Sequence, residues 1–136
     1  MIPLLTFLLI DDDEDDRELF QIALDELENP VEYTGCDNCS KALEMLENSG
    51  TLPDYIFLDL NMPQMGGKQC LAKLKENARL LHIPVVIFST SADPRDVEET
   101  RKLGAIDFIT KPSRTSELTK ILENFINAHH ESALKK

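Results

Sequence analysis

Tyr55-Ile56-Phe57-Leu58-Asp59-Leu60-Asn61-Met62-Pro63 is a four-residue apolar run that meets an acid and then a turn. A short apolar run bounded by turn signals suits a strand buried on both faces. One other stretch has the same form, Leu5-Thr6-Phe7-Leu8-Leu9-Ile10-Asp11-Asp12-Asp13. In open parallel sheets, ligand sites lie just beyond the carboxyl ends of the strands. Two strands that both end in Asp therefore bring several carboxylates into one small crevice. Like charges that close raise each other's pKa. A hard divalent cation with oxygen ligands removes that cost, and Mg²⁺ suits one or two carboxylates plus waters.

Outward from these two strands the chain alternates. Leu4 to Ile10 reads as a strand, and Asp13 is placed to N-cap the helix that follows. Leu19, Phe20, Ala23, Leu24 and Leu27 form its apolar stripe, with acids 14 to 16 favouring its N-terminus. Asn29-Pro30 ends it. Val31 to Gly35 is a short strand whose Glu32 and Thr34 suit a sheet edge. Ser40 or Asn38 caps a second helix with Ala42, Leu43 and Leu46 inward, stopped by Asn48-Ser49-Gly50. After the Asp59 strand, residues 62 to 67 form a loop, and a third helix turns Cys70, Leu71 and Leu74 inward.

Ile83 to Phe88 is the fourth strand and leads to Ser89-Thr90-Ser91. Asp93-Pro94 opens a helix that runs to about Leu103, with Gly104 at its C′ position. Ala105 to Thr110 is the fifth strand, followed by Lys111-Pro112. Ser113 to about Ala128 is the last helix, with Leu118, Ile121, Leu122, Phe125 and Ile126 inward and a frayed tail to Lys136. Five strands alternating with five helices predict an α/β fold, a doubly wound parallel sheet.

The 136 residues imply one domain, with a core over about 4–128 and a tail over about 129–136. A net charge of −11 argues against nucleic acid and anionic membrane as partners. No apolar segment reaches the roughly 18 residues a membrane span needs. Met1 to Ile10 lacks a basic leader and runs into acids, unlike a signal peptide. Three Cys, an odd number, point to a reduced cytoplasmic setting.

Four strand ends thus carry chemistry: Asp11 and Asp12, Asp59, Ser89, and Lys111. This set suits phosphoryl transfer onto a carboxylate. Asp59 is the nucleophile, the acid pair holds a cation, and Lys111 and Ser89 meet the remaining phosphoryl oxygens. Asp13 makes the acid run a triple, so the pair is shifted by one if the strand is counted differently; counting from the apolar run favours Asp11 and Asp12.

With these residues in this order, the chain from Leu4 to about Ala128 resembles the receiver domain of two-component response regulators. Asp11-Asp12, Asp59-Leu60-Asn61-Met62-Pro63 with Gly66-Gly67, Ser89 and Lys111-Pro112 carry the resemblance. The Asp-Asp-Asp-Glu-Asp-Asp-Arg start, Gly66-Gly67 and Asn77 to His82 before Pro84 are similar to stand-alone, single-domain receivers that partner phytochrome-type and other hybrid kinases. The resemblance implies a flavodoxin-like sheet of order 2-1-3-4-5. It implies that Asp59 accepts a phosphoryl group from a histidine kinase or histidine phosphotransfer protein. Mg²⁺ would be held by Asp12, Asp59 and the Asn61 backbone carbonyl, with Asp11 acting through water.

Ser89 and Phe108 would be the switch pair, Asn61 and Ser91 would tune the phosphate lifetime, and Lys111-Pro112 would be cis. The family more often has Thr where Ser89 stands, and Thr90 is a neighbouring competitor for that role. Phe108 lacks the hydroxyl of the commoner Tyr, so its switching must rest on packing. Output goes to a downstream protein partner, without nucleic acid or membrane, from a monomer or weak homodimer.

The same residues admit other readings. Asp13 to Asp16 read as a solvated helix start. A phosphatase with an Asp nucleophile would want an acid two residues on, where Asn61 cannot donate a proton. Cys36-Asp37-Asn38-Cys39 is a C-x-x-C at a strand-to-helix turn, but Asp37 disfavours a thiolate there. Cys70 reads as core. His82 is isolated, and His129 with His130 would hold a metal only adventitiously. A receiver that signals without phosphate would not need the full set of residues.

Overall fold

The computed structural model describes residues 5–134, with side chains described through 129. In chain order the elements are β1 (Leu5–Ile10), α1 (Glu14–Asp25), β2 (Val31–Cys36), α2 (Cys39–Asn48), β3 (Tyr55–Leu58), α3 (Gly67–Glu76), β4 (Val85–Ser89), α4 (Pro94–Lys102), β5 (Asp107–Thr110) and α5 (Thr115–Leu134). The five strands form one parallel sheet in the order β2-β1-β3-β4-β5. The strand order reverses between β1 and β3, which opens a crevice at their carboxyl ends.

The apolar runs became the central strands. Every residue of β3 and β4 is buried, whereas β2, at the edge, buries none of its residues fully. Side chains alternate across the sheet, so each strand feeds two cores. Phe7, Leu9, Tyr55, Phe57, Val86 and Phe88 face α1 and α5; Leu8, Ile10, Ile56, Leu58, Val85 and Ile87 face α2 and α3.

Helix punctuation follows side-chain chemistry. The Asp13 carboxylate accepts from the Asp15 and Asp16 N–H groups, Asn38 caps α2 through the Lys41 N–H, and Asp93 caps α4 through the Arg95 N–H. Gly104 has φ +112°, the left-handed conformation expected just beyond α4.

Several boundaries and contacts depart from expectation. Leu4 and residues 135 and 136 lie outside the described residues. The last helix does not end near Ala128 but runs to Leu134; Tyr55 Oη donates to the His129 carbonyl and the tilted Phe125 and His129 rings meet, holding the turn at His129 to the sheet. Leu19 is 41% exposed: the buried face of α1 centres on Phe20, Ala23 and Leu24, which puts Leu19 on its flank beside the exposed Ile22.

Cys39 does not pair with Cys36 in a C-x-x-C. Its sulfur is bonded to Cys70, so the cysteines are not all reduced as their odd number suggested; only Cys36 is left free. Cys39 opens α2 and Cys70 lies one turn into α3, both facing the same core, while Cys36 points to Met45. Among the described residues no peptide bond is cis, so the expected cis Lys111–Pro112 is trans, the isomer an X–Pro bond favours by default.

Candidate functional site

Sheet register builds the site. Ile10 pairs with Leu58, so the next residues, Asp11 and Asp59, emerge side by side at the carboxyl edge. Backbone bonds extend that edge: Asp11 N–H donates to the Cys36 carbonyl and Asp59 N–H to the Ile10 carbonyl, both at 2.9 Å. On the other flank Ser89 pairs with Thr110, and the Lys111 N–H donates to the Ser89 carbonyl at 2.7 Å. The four strand ends singled out in the sequence therefore converge.

Asp11, Asp59 and Ser89 are buried, while Asp12 is exposed at the rim. The Lys111 ammonium lies 2.8 Å from Asp11 Oδ2, 2.8 Å from Asp16 Oδ2 and 3.6 Å from Asp59 Oδ1. It also stands 5.5 Å from the centre of the Phe88 ring. Asp11 Oδ1 accepts the Asp13 N–H, and the Asp11 carbonyl accepts from the Arg17 guanidinium. Asp59 Oδ1 accepts the Asn61 N–H at 3.4 Å, and Ser89 Oγ accepts the Ser91 N–H at the same distance.

Gly67 fits under this edge because it has no side chain. A Cβ there would strike the Asp59 carbonyl oxygen and lie 2.6 Å from Leu60 Cα.

Crowding shows in the acidities. Burial, then the Asp11 charge, pushes Asp59 up to about 6, against the pull of Lys111 and the Asn61 N–H. Burial also raises Asp11, opposed by Lys111 and the Asp13 N–H. Burial acts to lower the Lys111 pKa, but its contacts with Asp11 and Asp16 and the nearby Asp59 charge outweigh that and raise it.

The acids fit a divalent cation. Asp11, Asp12 and Asp59 each offer a carboxylate oxygen within 4.8 Å of the others. Asp11 Oδ2 is buried without a hydrogen-bond partner; Lys111 meets it as a charge, without hydrogen-bond alignment. A buried carboxylate oxygen with lone pairs to spare beside one ammonium suits a hard cation or a water bound to one.

The remaining expected residues fall as follows. Asp13 is spent on capping α1, and the carboxylates that cluster at the strand ends are Asp11, Asp12 and Asp59. Thr90 is exposed where Ser89 is buried. Asn61 and Ser91 are exposed at the rim. Phe108 is half-buried and lines a cavity of about 230 Å³ with Val97, Thr100, Arg101 and Ala105.

Asp16 is the residue the sequence reading missed. Its place in the acid run suits a solvated helix start, yet it holds Lys111 at 2.8 Å. A carboxylate one turn past the acid pair, on a helix that begins at the site, is the sequence signal that marks it.

With this geometry in place, comparison with known proteins gives the class. The pattern that defines the response regulator receiver domain matches residues 7–123. The chain belongs to that family. A two-component response regulator of Oryza sativa subsp. japonica, ORR13, is 32% identical over 119 residues, covering 88% of this chain and 95% of the relative. The phosphorylated cyanobacterial phytochrome response regulator RcpA superposes with a TM-score of 0.81 at 31% identity, over 92% of this chain and 93% of that one. The Mn²⁺-bound response regulator Rcp1 gives 0.77 at 29% identity, over 90% and 91%. A protein-glutamate methylesterase/protein-glutamine glutaminase of Methanococcoides burtonii is 38% identical over 111 residues, 79% of this chain, but the match spans 31% of that protein. Receiver domains are signalling domains of phosphorelays, working with histidine kinases or phosphotransfer proteins.

Proposed function

We propose that this chain is a receiver that takes a phosphoryl group from a phosphohistidine onto Asp59 and thereby switches a binding face. The observation that supports it is the placement of the Asp59 carboxylate, 3.6 Å from Lys111 and among Asp11 and Asp12 at the mouth of the sheet crevice. An Asp59 oxygen attacks phosphorus and the P–N bond breaks, its electron pair returning to a donor ring already protonated at its other nitrogen, which leaves as neutral imidazole. The product is an acyl phosphate. Asp59 must be ionised to attack, and a pKa near 6 leaves it so at neutral pH.

Asp12, Asp59 and the Asn61 carbonyl would hold Mg²⁺, with Asp11 acting through water. That ion supplies positive charge for the phosphoryl oxygens. Lys111 contributes a fixed cation and Ser89 a hydroxyl donor to the same oxygens. Ser89 shifts inward and Phe108 follows into the cavity beside Thr100, so the face of α4, β5 and α5 has two states. The face carries Arg95, Arg101 and Lys102, partly neutralised by Asp93 and Glu98. It would meet a downstream protein partner from a cytoplasmic monomer or weak homodimer. Among the described residues, no helix is long and apolar enough to cross a membrane. Asn61 and Ser91, at the rim, would set how readily water reaches the acyl phosphate.

Intact mass after incubation with acetyl phosphate, with and without Mg²⁺, tests this on the wild type and on Asp59→Asn. The expected result is one added phosphoryl group that requires Mg²⁺ and is lost in the variant. A gain that survives in Asp59→Asn, or no gain in the wild type, would defeat the reading.

A further inference from the structure

The Lys111 ammonium has three N–H groups and three carboxylates around it. Asp11 and Asp16 each stand at 2.8 Å, and Asp59, the phosphoacceptor of the proposal above, at 3.6 Å. The contact to Asp16 is the aligned hydrogen bond of the set. The Lys111 side chain is only 8% exposed, so it has little solvent to exchange partners with.

Asp16 is held where it is. It sits in the first turn of α1, and that helix is fixed by Phe20, Ala23 and Leu24 in the core and by the Thr119 hydroxyl on the Ala23 carbonyl. Three carboxylates, Asp11, Asp16 and Asp59, thus share one ammonium, and Asp16 is the one with no place among the expected metal ligands.

Resting on the phosphoacceptor reading, we propose that Asp16 is a positioning residue that restrains Lys111, drawing its ammonium toward α1 and competing for it with the phosphoryl group on Asp59. When a phosphoryl group arrives, Lys111 turns an N–H toward its oxygens at the expense of the Asp16 bond. Removing the Asp16 charge while keeping its shape frees Lys111 for the incoming anion and strengthens its hold.

The test titrates fluoroberyllate, a phosphoryl mimic, in saturating Mg²⁺ onto the wild type, D16N, K111M and the double variant, with thermal melts to confirm folding. D16N is expected to bind roughly three- to tenfold more tightly, and that gain should vanish when Lys111 is absent. Equal or weaker binding by D16N overturns the proposal. So does an equal gain in the K111M background, which would make Asp16 a bare repelling charge.

A second readout needs no phosphoryl mimic. Trace acetylation of Lys111 by acetic anhydride, measured by peptide mass against exposed Lys41, should rise several-fold in D16N; an unchanged ratio overturns the proposal. Failure of the wild type to bind fluoroberyllate would defeat the phosphoacceptor reading, while this labelling ratio would still decide the role of Asp16.

Discussion

The two faces of the sheet are built from different materials. Under α1 and α5 the core is aromatic: Phe7, Phe20, Tyr55, Phe57, Phe88 and Phe125 touch ring to ring, mostly edge to face. Under α2 and α3 the core is aliphatic, with the Cys39–Cys70 bond crossing it. At the end of that second face, α4 buries a single residue, Thr100, whose hydroxyl turns back to its own helix at the Asp96 carbonyl. Interlocked rings hold a helix in one pose, whereas a helix with one small buried residue has little to lose by moving. The rigid face carries Asp16 and Lys111 into the site; the loosely held edge is where the proposed switch at Ser89 and Phe108 would be expressed.

The contrast is open to direct challenge. The largest effect is expected from Phe20→Ala, which removes the ring that touches Tyr33, Phe57 and Phe88. It should cost ~3–5 kcal/mol in urea unfolding, against ~2–4 kcal/mol for Leu71→Ala on the aliphatic face. An equal or reversed order would show that the aromatic face is not the stiffer one.

Next comes the sulfur bridge. Reduction should cost ~2–3 kcal/mol, and denatured, unreduced protein should show a single reactive thiol, Cys36. Burial and the Asp37 charge raise the Cys36 thiol, so it should react slowly with iodoacetamide in the folded protein. Three thiols before any reduction would remove the bridge from the aliphatic face.

The smallest effect lies at the mouth between the two faces. Asp59 holds its proton to about 6 when folded, against an ordinary 3.8. Between these values the folded state binds more protons than the unfolded chain, so this group makes stability fall as pH rises through that window. Asp59→Asn should remove that slope. After solvent screening it should stabilise the Mg²⁺-free protein by ~1–2 kcal/mol at about pH 7.5, with little change near pH 4. Urea melts at the two pH values check this, and a destabilised Asp59→Asn would mean that the carboxylate is structurally required.

Much of this was legible in the chain. The runs ending at Asp11 and Asp59 are, Thr6 apart, apolar on both alternating sets, as a doubly covered strand requires. The caps Asp13, Asn38 and Asp93 and the positive φ of Gly104 follow from side-chain and backbone chemistry within a few residues. The edge position of β2 showed in Glu32 and Thr34. Leu19 misled because a stripe read by spacing alone has no centre until the helix is docked.

The sequence by itself determined what is local or periodic: which runs are strands, where helices start and stop, and that Asp11, Asp12, Asp59, Ser89 and Lys111 stand at strand ends. Those properties depend on residues a few positions apart and on the two-residue and 3.6-residue periods of the backbone. Tertiary structure decided the rest. Asp16 meets Lys111 across 95 positions and Cys39 meets Cys70 across 31. Each pair is made by how a helix rotates and slides on the sheet, which is fixed by packing of the whole core and leaves no trace in the spacing of either residue.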